Sequence, residues 1–306
     1  MSASGGAIER TSIVRYGTRA TLTAVAVTVL VGAGVAAALG ATRSGPRPSV
    51  AVGSVPRGES QARLRNVSCG QTLTESTVVE NDLVNCAGDG LVAGADGITI
   101  DLNGHTVDGR TLVTGSGILI SGFDGVVVKN GTITGFEVGV SIVFGADQTR
   151  VRDLRISGDG IGNGIEAQAL RAALAGNTVF GRAIGILVGG TTTTATGNTV
   201  KDNDTGIFVG GSRPVVTRNI ALSNANDGIQ AFSDAAAITG NVANANGDDG
   251  IDAAGADGAI LDGNSASFNT GLGIDADGDV VDAAGNAATG NGSLHQCENV
   301  VCVDVQ

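Results

Sequence analysis

The sequence predicts an all-β fold, a single-stranded right-handed parallel β-helix of about nine rungs and a period of about 22 residues, behind an N-terminal hydrophobic helix. Three observations predict it. An Asn or Asp recurs at Asn130, Asp153, Asn177, Asn198, Asn219, Asn241, Asn264 and Asn286, in steps of 21 to 24 residues. A Gly followed by a β-branched residue keeps the same period at Gly117, Gly139, Gly164, Gly185, Gly206, Gly228, Gly250 and Gly273. The composition is 50 Gly among 306 residues, with no Trp, one Tyr, seven Phe and only four Pro. Many Gly with abundant Val, Ile, Thr, Asn and Asp means short strands joined by tight turns.

From the N-terminus, residues 1–19 form a basic segment with Arg10, Arg15 and Arg19. Residues 20–42 carry no charge and suit either the hydrophobic region of a signal peptide or one membrane-spanning helix. Either would export the remainder of the chain, and three Arg before the run against two after it favour a cytoplasmic N-terminus. The chain is therefore expected to be secreted or membrane-anchored. Residues 43–65, with three of the four Pro, read as a flexible linker. Residues 66–92 read as an N-terminal cap, 93–292 as the β-helix repeats and 293–306 as a C-terminal cap. The cysteines fall in two pairs, Cys69 with Cys86 and Cys297 with Cys302, one pair at each end of the exported region. Export permits disulfides, and proximity favours these pairings. Capping is expected because an open solenoid end exposes unpaired strand edges.

Within a rung, the residues after each Gly read apolar, variable, apolar. The first apolar column is Ile118, Val140, Ile165, Ile186, Ile207, Ile229, Ile251 and Ile274. The second narrows from Ile120 and Ile142 to Ala253 and Ala276. Period two puts both columns on the inner side and Leu119, Ser141, Glu166, Leu187, Phe208, Gln230, Asp252 and Asp275 on the outer side. Gly and Asn are expected to supply left-handed or turn backbone at the corners, and the Asn column to form a ladder of side-chain amides. The Leu-x-x-Leu-x-Leu pattern of leucine-rich repeats is missing, and the period excludes calcium-binding nonapeptide repeats.

The run Cys69-Gly-Gln-Thr-Leu, then Asp82-Leu, Cys86-x-Gly-Asp-Gly-Leu91 and Ile98-Thr-Ile-Asp-Leu-Asn-Gly-His-Thr-Val-Asp-Gly109 resembles the capped first rung of secreted bacterial right-handed β-helix proteins of pectate-lyase-like architecture. The resemblance covers about residues 66–292 and is greatest to members with no assigned reaction. It implies the fold, and leaves activity open among lyases, hydrolases, epimerases and non-catalytic members.

Chemistry is sparser than fold. Pectin hydrolases of this architecture carry Asn-Thr-Asp, Asp-Asp, His-Gly and Arg-x-Lys; only Asp248-Asp249 is present. The Asp-Pro-His of alginate epimerases is absent. Arg150, Arg152, Arg155, Arg171, Arg182, Arg213 and Arg218 are possible bases for a lyase, with no motif to select one. Asp101 and His105 alternate with apolar residues on one expected strand, where they would form a base and its orienter or simply the first corner of the solenoid. Glu166 is the single acid in its part of the outer column, whereas a glycosidase needs two. The acidic C-terminal rungs offer Asp252, Asp257, Asp275, Asp277 and Asp279 as oxygen ligands for Ca²⁺, or as a solvated acidic edge. Asp275-Ala-Asp277-Gly-Asp279 does not fit an EF-hand.

Residues 1–47 carry a net charge of +4, which leaves −16 for residues 48–306 out of −12 for the whole chain. So acidic a surface repels nucleic acid. The expected function is an extracytoplasmic module of the cell envelope that binds polysaccharide or serves structurally, without catalysis. The alternatives are a polysaccharide-active enzyme (lyase, hydrolase or epimerase), with or without Ca²⁺, and an adhesin or assembly module. The expected partners are a polysaccharide and, if the hydrophobic segment is retained, the membrane.

Overall fold

The structure is a computed structural model that describes residues 62–110 and 114–303. The hydrophobic helix expected over 20–42, and the basic segment before it, lie outside the described residues. Among the described residues there is no helix, and none long and apolar enough to cross a membrane. Short strands pair in parallel throughout and form a solenoid.

One sheet has ten strands, one per rung, and is termed the straight sheet. The other has nineteen, contributed mostly as two strands per rung meeting at a corner, and is termed the bent sheet. The ten strands correct the expectation of about nine rungs. The additional rung begins before the regular columns, where Gln71–Leu73 pairs with Leu91–Ala93. In the rungs of Val127–Thr134 and Arg150–Ser157 the two strands of the bent sheet run on as one. They turn at Asn130 and Asp153, whose φ values are 58° and 57°.

The inner columns are as the alternation requires. Ile118, Val140, Ile165, Ile186, Ile207, Ile229, Ile251 and Ile274 are all fully buried, stacked in register from rung to rung. Each such side chain contributes about 1.5–3 kcal/mol through removal from water.

The glycine column has a different cause from the one expected. Gly117, Gly139, Gly164, Gly185, Gly206, Gly228, Gly250 and Gly273 do not have positive φ. They lie where adjacent rungs approach too closely for a side chain. A Cβ on Gly206 would stand 2.3 Å from the carbonyl oxygen of Gly228, and one on Gly185 2.5 Å from that of Gly206. The left-handed corners fall elsewhere, at Gly176, Gly197, Arg218, Gly240, Gly263 and Gly285, each just before an Asn of the predicted column. Gly206→Ala is therefore expected to destabilise by about 2–3 kcal/mol, since backbone must shift in a close-packed interior. Gly197→Ala, with open space around its Cβ, is expected to cost about 1 kcal/mol for its φ of 62° alone. Equal midpoints for the two variants in chemical denaturation would refute this assignment.

The Asn column forms the expected ladder from Asn177 onward; Asn130 and Asp153 lie in register with Gly176, one position before Asn177, so Asn130 donates to Asp101 and Asp153 pairs with Arg152 instead. Asn198 Oδ1 accepts from the backbone N–H of Asn177 at 3.0 Å and from its Nδ2 at 2.9 Å, while Asn198 Nδ2 donates to Leu174 O and to Asn219 Oδ1, each at 3.0 Å. The pattern continues through Asn241 and Asn264 to Asn286. A second ladder, outside the predicted column, runs five residues later through Asn203, Asn224, Asn246, Asn269 and Asn291. Gln296 closes its C-terminal end by accepting from Asn291 at 2.9 Å. Arg182 stands at the other end. Its backbone N–H donates to Asn203 Oδ1, and its buried guanidinium donates to the carbonyls of Phe136 and Asn163 at 2.9 Å.

Both disulfides are present, Cys69–Cys86 and Cys297–Cys302. The second holds the C-terminal loop against the last rung, where Cys297 bridges to Ile274 and Val303 to Ala287.

Candidate functional site

The outer row of the straight sheet reads, in register, Ser141, Glu166, Leu187, Phe208, Gln230, Asp252 and Asp275. Neighbouring members are one strand spacing apart, about 4.8 Å. Two halves of this row differ in chemistry.

The middle is apolar. The Phe208 ring lies 5.7 Å from that of Phe232, centroid to centroid, and Leu187 stacks beside Phe208. Glycine makes room for both rings: a Cβ on Gly255 would stand 2.6 Å from Phe232, and one on Gly210 3.1 Å from Phe208. Phe232 is exposed and Phe208 half-buried, so the pair forms an open platform.

The C-terminal part is acidic. Carboxylate oxygens of Asp227, Asp248 and Asp249 all lie within 4.8 Å of one another. Asp227 is buried, and Asp249 half-buried. Asp227 Oδ1 accepts the backbone N–H of Asp249 at 3.0 Å, and Oδ2 accepts from Gln230 Nε2 at 2.9 Å. Asp249 in turn accepts the N–H of Leu272 at 2.5 Å. These carboxylates link one rung to the next, as Asp89 does for Ser116. Burial, reinforced by the charge of Asp252, pushes Asp227 up to about 7. Burial pushes Asp249 up to about 6, with Asp248 and Asp275 adding to it. Asp252 and Asp275 are raised as well, each first by burial.

Of the residues expected as cation ligands, Asp252 and Asp275 are stacked in register, and Asp277 adds to the field at both. Asp257 and Asp279 are exposed at the following corners. Among the described residues, the carboxylates that converge tightly enough to share an ion are Asp227, Asp248 and Asp249. Such a set of oxygen donors suits a hard divalent cation. Asp227 and Asp249 each stand immediately before a member of the glycine column, and that position is their signal in the sequence. Phe232 directly follows Ala231 of the second inner column, so continued alternation puts it on the outer side two residues after Gln230.

The structure separates Asp101 from His105. A corner at Asn103 and Gly104, with φ of 52° and 84°, intervenes, so the two do not share a face. Asp101 pairs with Lys129 at 3.0 Å. His105 Nδ1 instead meets Asp82 Oδ1 at 3.0 Å, and Asp82 also accepts the backbone N–H of Thr106, which with His105 holds its carboxyl below the usual range. Glu166 accepts from Asn163 Nδ2 at 3.2 Å and from Gln168 Nε2.

Solved structures of similar shape include a tailspike protein of E. coli bacteriophage HK620 in complex with a pentasaccharide, at 12% identity and a TM-score of 0.51, covering 72% of this chain and 50% of that one. An alginate lyase from Paenibacillus sp. str. FPU-7 matches at 16% identity and a TM-score of 0.50, covering 78% of this chain and 96% of that one. At such identities the likeness is one of fold. The chain spans about half the length of the tailspikes it matches. No curated protein matches it. A family model described as "Periplasmic copper-binding protein (NosD)" matches residues 99–293, well over half of the sequence, and the chain belongs to that periplasmic NosD family.

Proposed function

We propose that this is an extracytoplasmic glycan-binding module without catalysis, which holds a polysaccharide along the outer row of its straight sheet. One observation carries the reading: the Leu187, Phe208 and Phe232 platform adjoins the amide of Gln230 and the carboxylate of Asp252 on successive rungs. An aromatic face takes the apolar face of a sugar ring, while amide and carboxylate accept or donate to its hydroxyls. A row repeated about every 4.8 Å suits a linear polymer. The excess of carboxylate at this site disfavours acidic sugars, so neutral glycans fit it best. In affinity electrophoresis, laminarin, dextran or mannan is expected to retard the protein, and Phe208→Ala to weaken that retention about tenfold or more, the scale of losing a central aromatic contact. Parent and variant migrating alike in all three gels would remove the platform as the site.

A polysaccharide-active enzyme is the second reading. It is favoured by Asp227, a carboxyl that stays protonated toward neutral pH beside Asp252. Release of reducing ends by the parent, lost in Asp227→Asn, would establish this reading in place of the first.

The family description names copper, and the donor set of this chain does not fit it. The only His residues, His105 and His295, stand near opposite ends of the solenoid, eight rungs or about 38 Å apart. All four cysteines are in disulfides, and the sequence holds a single Met. Copper sites are built from converging imidazole, thiolate or thioether ligands. The Asp227, Asp248 and Asp249 set is proposed instead for Ca²⁺. Copper titration of the dialysed protein is expected to give no tight stoichiometric binding; one equivalent retained through gel filtration would overturn that.

A further inference from the structure

Charge is banded along this chain. Every Lys and Arg after Arg65 falls between Arg110 and Arg218: ten of them, against eight Asp and Glu in the same span. The residues from 219 onward hold thirteen Asp and Glu and no Lys or Arg. Residues 66–109 hold seven Asp and Glu and no Lys or Arg. A band of slight positive charge thus lies between two acidic ones.

Within that band the cations gather on the outer side of the bent sheet. Lys129 lies opposite Arg152 in register, and Thr132 opposite Arg155, on the two rungs whose strands run through the corner unbroken. Arg150 shares its rung with Arg152 and Arg155. Like charges set this close on adjacent strands destabilise a sheet. Three cations of this face are neutralised within the protein, Lys129 by Asp101 at 3.0 Å, Arg152 by Asp153 at 2.6 Å and Lys201 by Asp202 at 3.5 Å. Arg150 and Arg155 are exposed and make no ion pair among the described residues. Arg155 lies over the Phe180 ring at 4.4 Å, with Lys201 6.0 Å from the same ring. Stacking of this kind holds a guanidinium flat while its donors face outward. On the next rung the residues opposite Arg150 and Arg152 are Ala173 and Ala175, which leave both guanidiniums uncovered on that side.

We infer that this cationic face, with Arg150 and Arg155 at its centre and Phe180 as its platform, is a second binding site, for an acidic glycan bearing about one carboxylate per sugar. It is independent of the neutral-glycan platform on the straight sheet. Hydroxyls line the same surface: Thr132, Thr134, Ser157 and Thr178 flank the arginines, with Ser157 Oγ donating to Thr134 Oγ1 at 3.1 Å. Two features select this occupant over other polyanions. Nucleic acid carries about one charge per 1.7 Å of duplex and needs a long cationic track, whereas acidic bands close this one on both sides. The same bands repel an anionic lipid surface, which would meet the solenoid over many rungs.

The test is affinity electrophoresis of the full chain in gels containing polygalacturonate. Retardation is expected at about 50 mM salt and loss of it near 500 mM, where exposed charges are screened within about 4–5 Å. Arg150→Ser/Arg155→Ser is expected to weaken retention about tenfold or more, the scale of two charge-assisted hydrogen bonds. Arg213→Ser/Arg218→Ser, which removes two exposed cations outside the cluster, is expected to bind as the parent does. Both pairs are exposed, and thermal melting within a few degrees of the parent checks that they fold. No retardation, or equal loss in both double variants, overturns the inference. Tighter retention by DNA, or co-sedimentation with phosphatidylglycerol vesicles in preference to polygalacturonate, reassigns the face and overturns it too. Phe208→Ala retaining polygalacturonate binding separates this site from the first.

Discussion

Asn219→Ala is expected to lower the unfolding free energy by about 4 kcal/mol. The amide of Asn219 serves four partners. Its Oδ1 accepts from Asn198 N at 2.9 Å and Asn198 Nδ2 at 3.0 Å, and its Nδ2 donates to Ala195 O at 2.9 Å and Asn241 Oδ1 at 3.0 Å. All are fully buried, so no water replaces the lost amide. Removing one partner from a buried polar group costs about 1–3 kcal/mol for each group left unpaired. Against a typical total of about 5–15 kcal/mol, that is enough to open the middle of the solenoid. Each rung touches only its neighbours, so amide exchange should rise first in the rungs on either side of Asn219. Thr196→Ala, an outward residue one rung earlier, is expected to cost less than about 0.5 kcal/mol. A loss below about 1 kcal/mol for Asn219→Ala would show that the ladder is replaceable by local rearrangement.

Stability is expected to fall as pH rises from about 4 to about 7, the reverse of ordinary acid denaturation. The sign follows from Asp227 and Asp249, whose carboxyls are raised in the folded chain to about 7 and about 6 from an ordinary value of 3.8. Between those limits the folded chain keeps protons that the unfolded chain has released. Their contribution is complete below about pH 4 and is lost as pH passes the folded values. For Asp227 alone the difference is worth about 2–4 kcal/mol. Asp227→Asn, which carries no charge, is expected to melt higher than the parent at about pH 8 and no higher at about pH 5. Ca²⁺ acts in the same range as the mutation. At the higher pH it is expected to raise the melting temperature of the parent, and not that of Asp227→Asn. A parent insensitive to both pH and Ca²⁺ would leave Asp227 and Asp249 as rung-to-rung acceptors alone.

The site is only partly legible in the sequence. Phe208, Leu187 and Asp252 fall on one outer row in both sequence and structure, because strand alternation is local and exact in period. Alternation carried through Asn103-Gly104 puts Asp101 and His105 on one face, but the backbone turns there and parts them. The convergence of Asp227 with Asp248 joins residues from adjacent rungs at a corner, and corners vary in length from one rung to the next.

The sequence by itself determined the solenoid, its period, its inner columns, the first amide ladder and the two disulfide pairings. The first four are repeated, local demands of stacked strands, written once per rung, and the disulfides join cysteines close in sequence, so all survive reading in one dimension. Only the tertiary structure decided why the glycine column is glycine, that a second amide ladder exists, which carboxylate meets His105, and which carboxylates converge. Those depend on the distance between rungs and on the direction the chain takes at each corner, and neither quantity is carried by any single repeat.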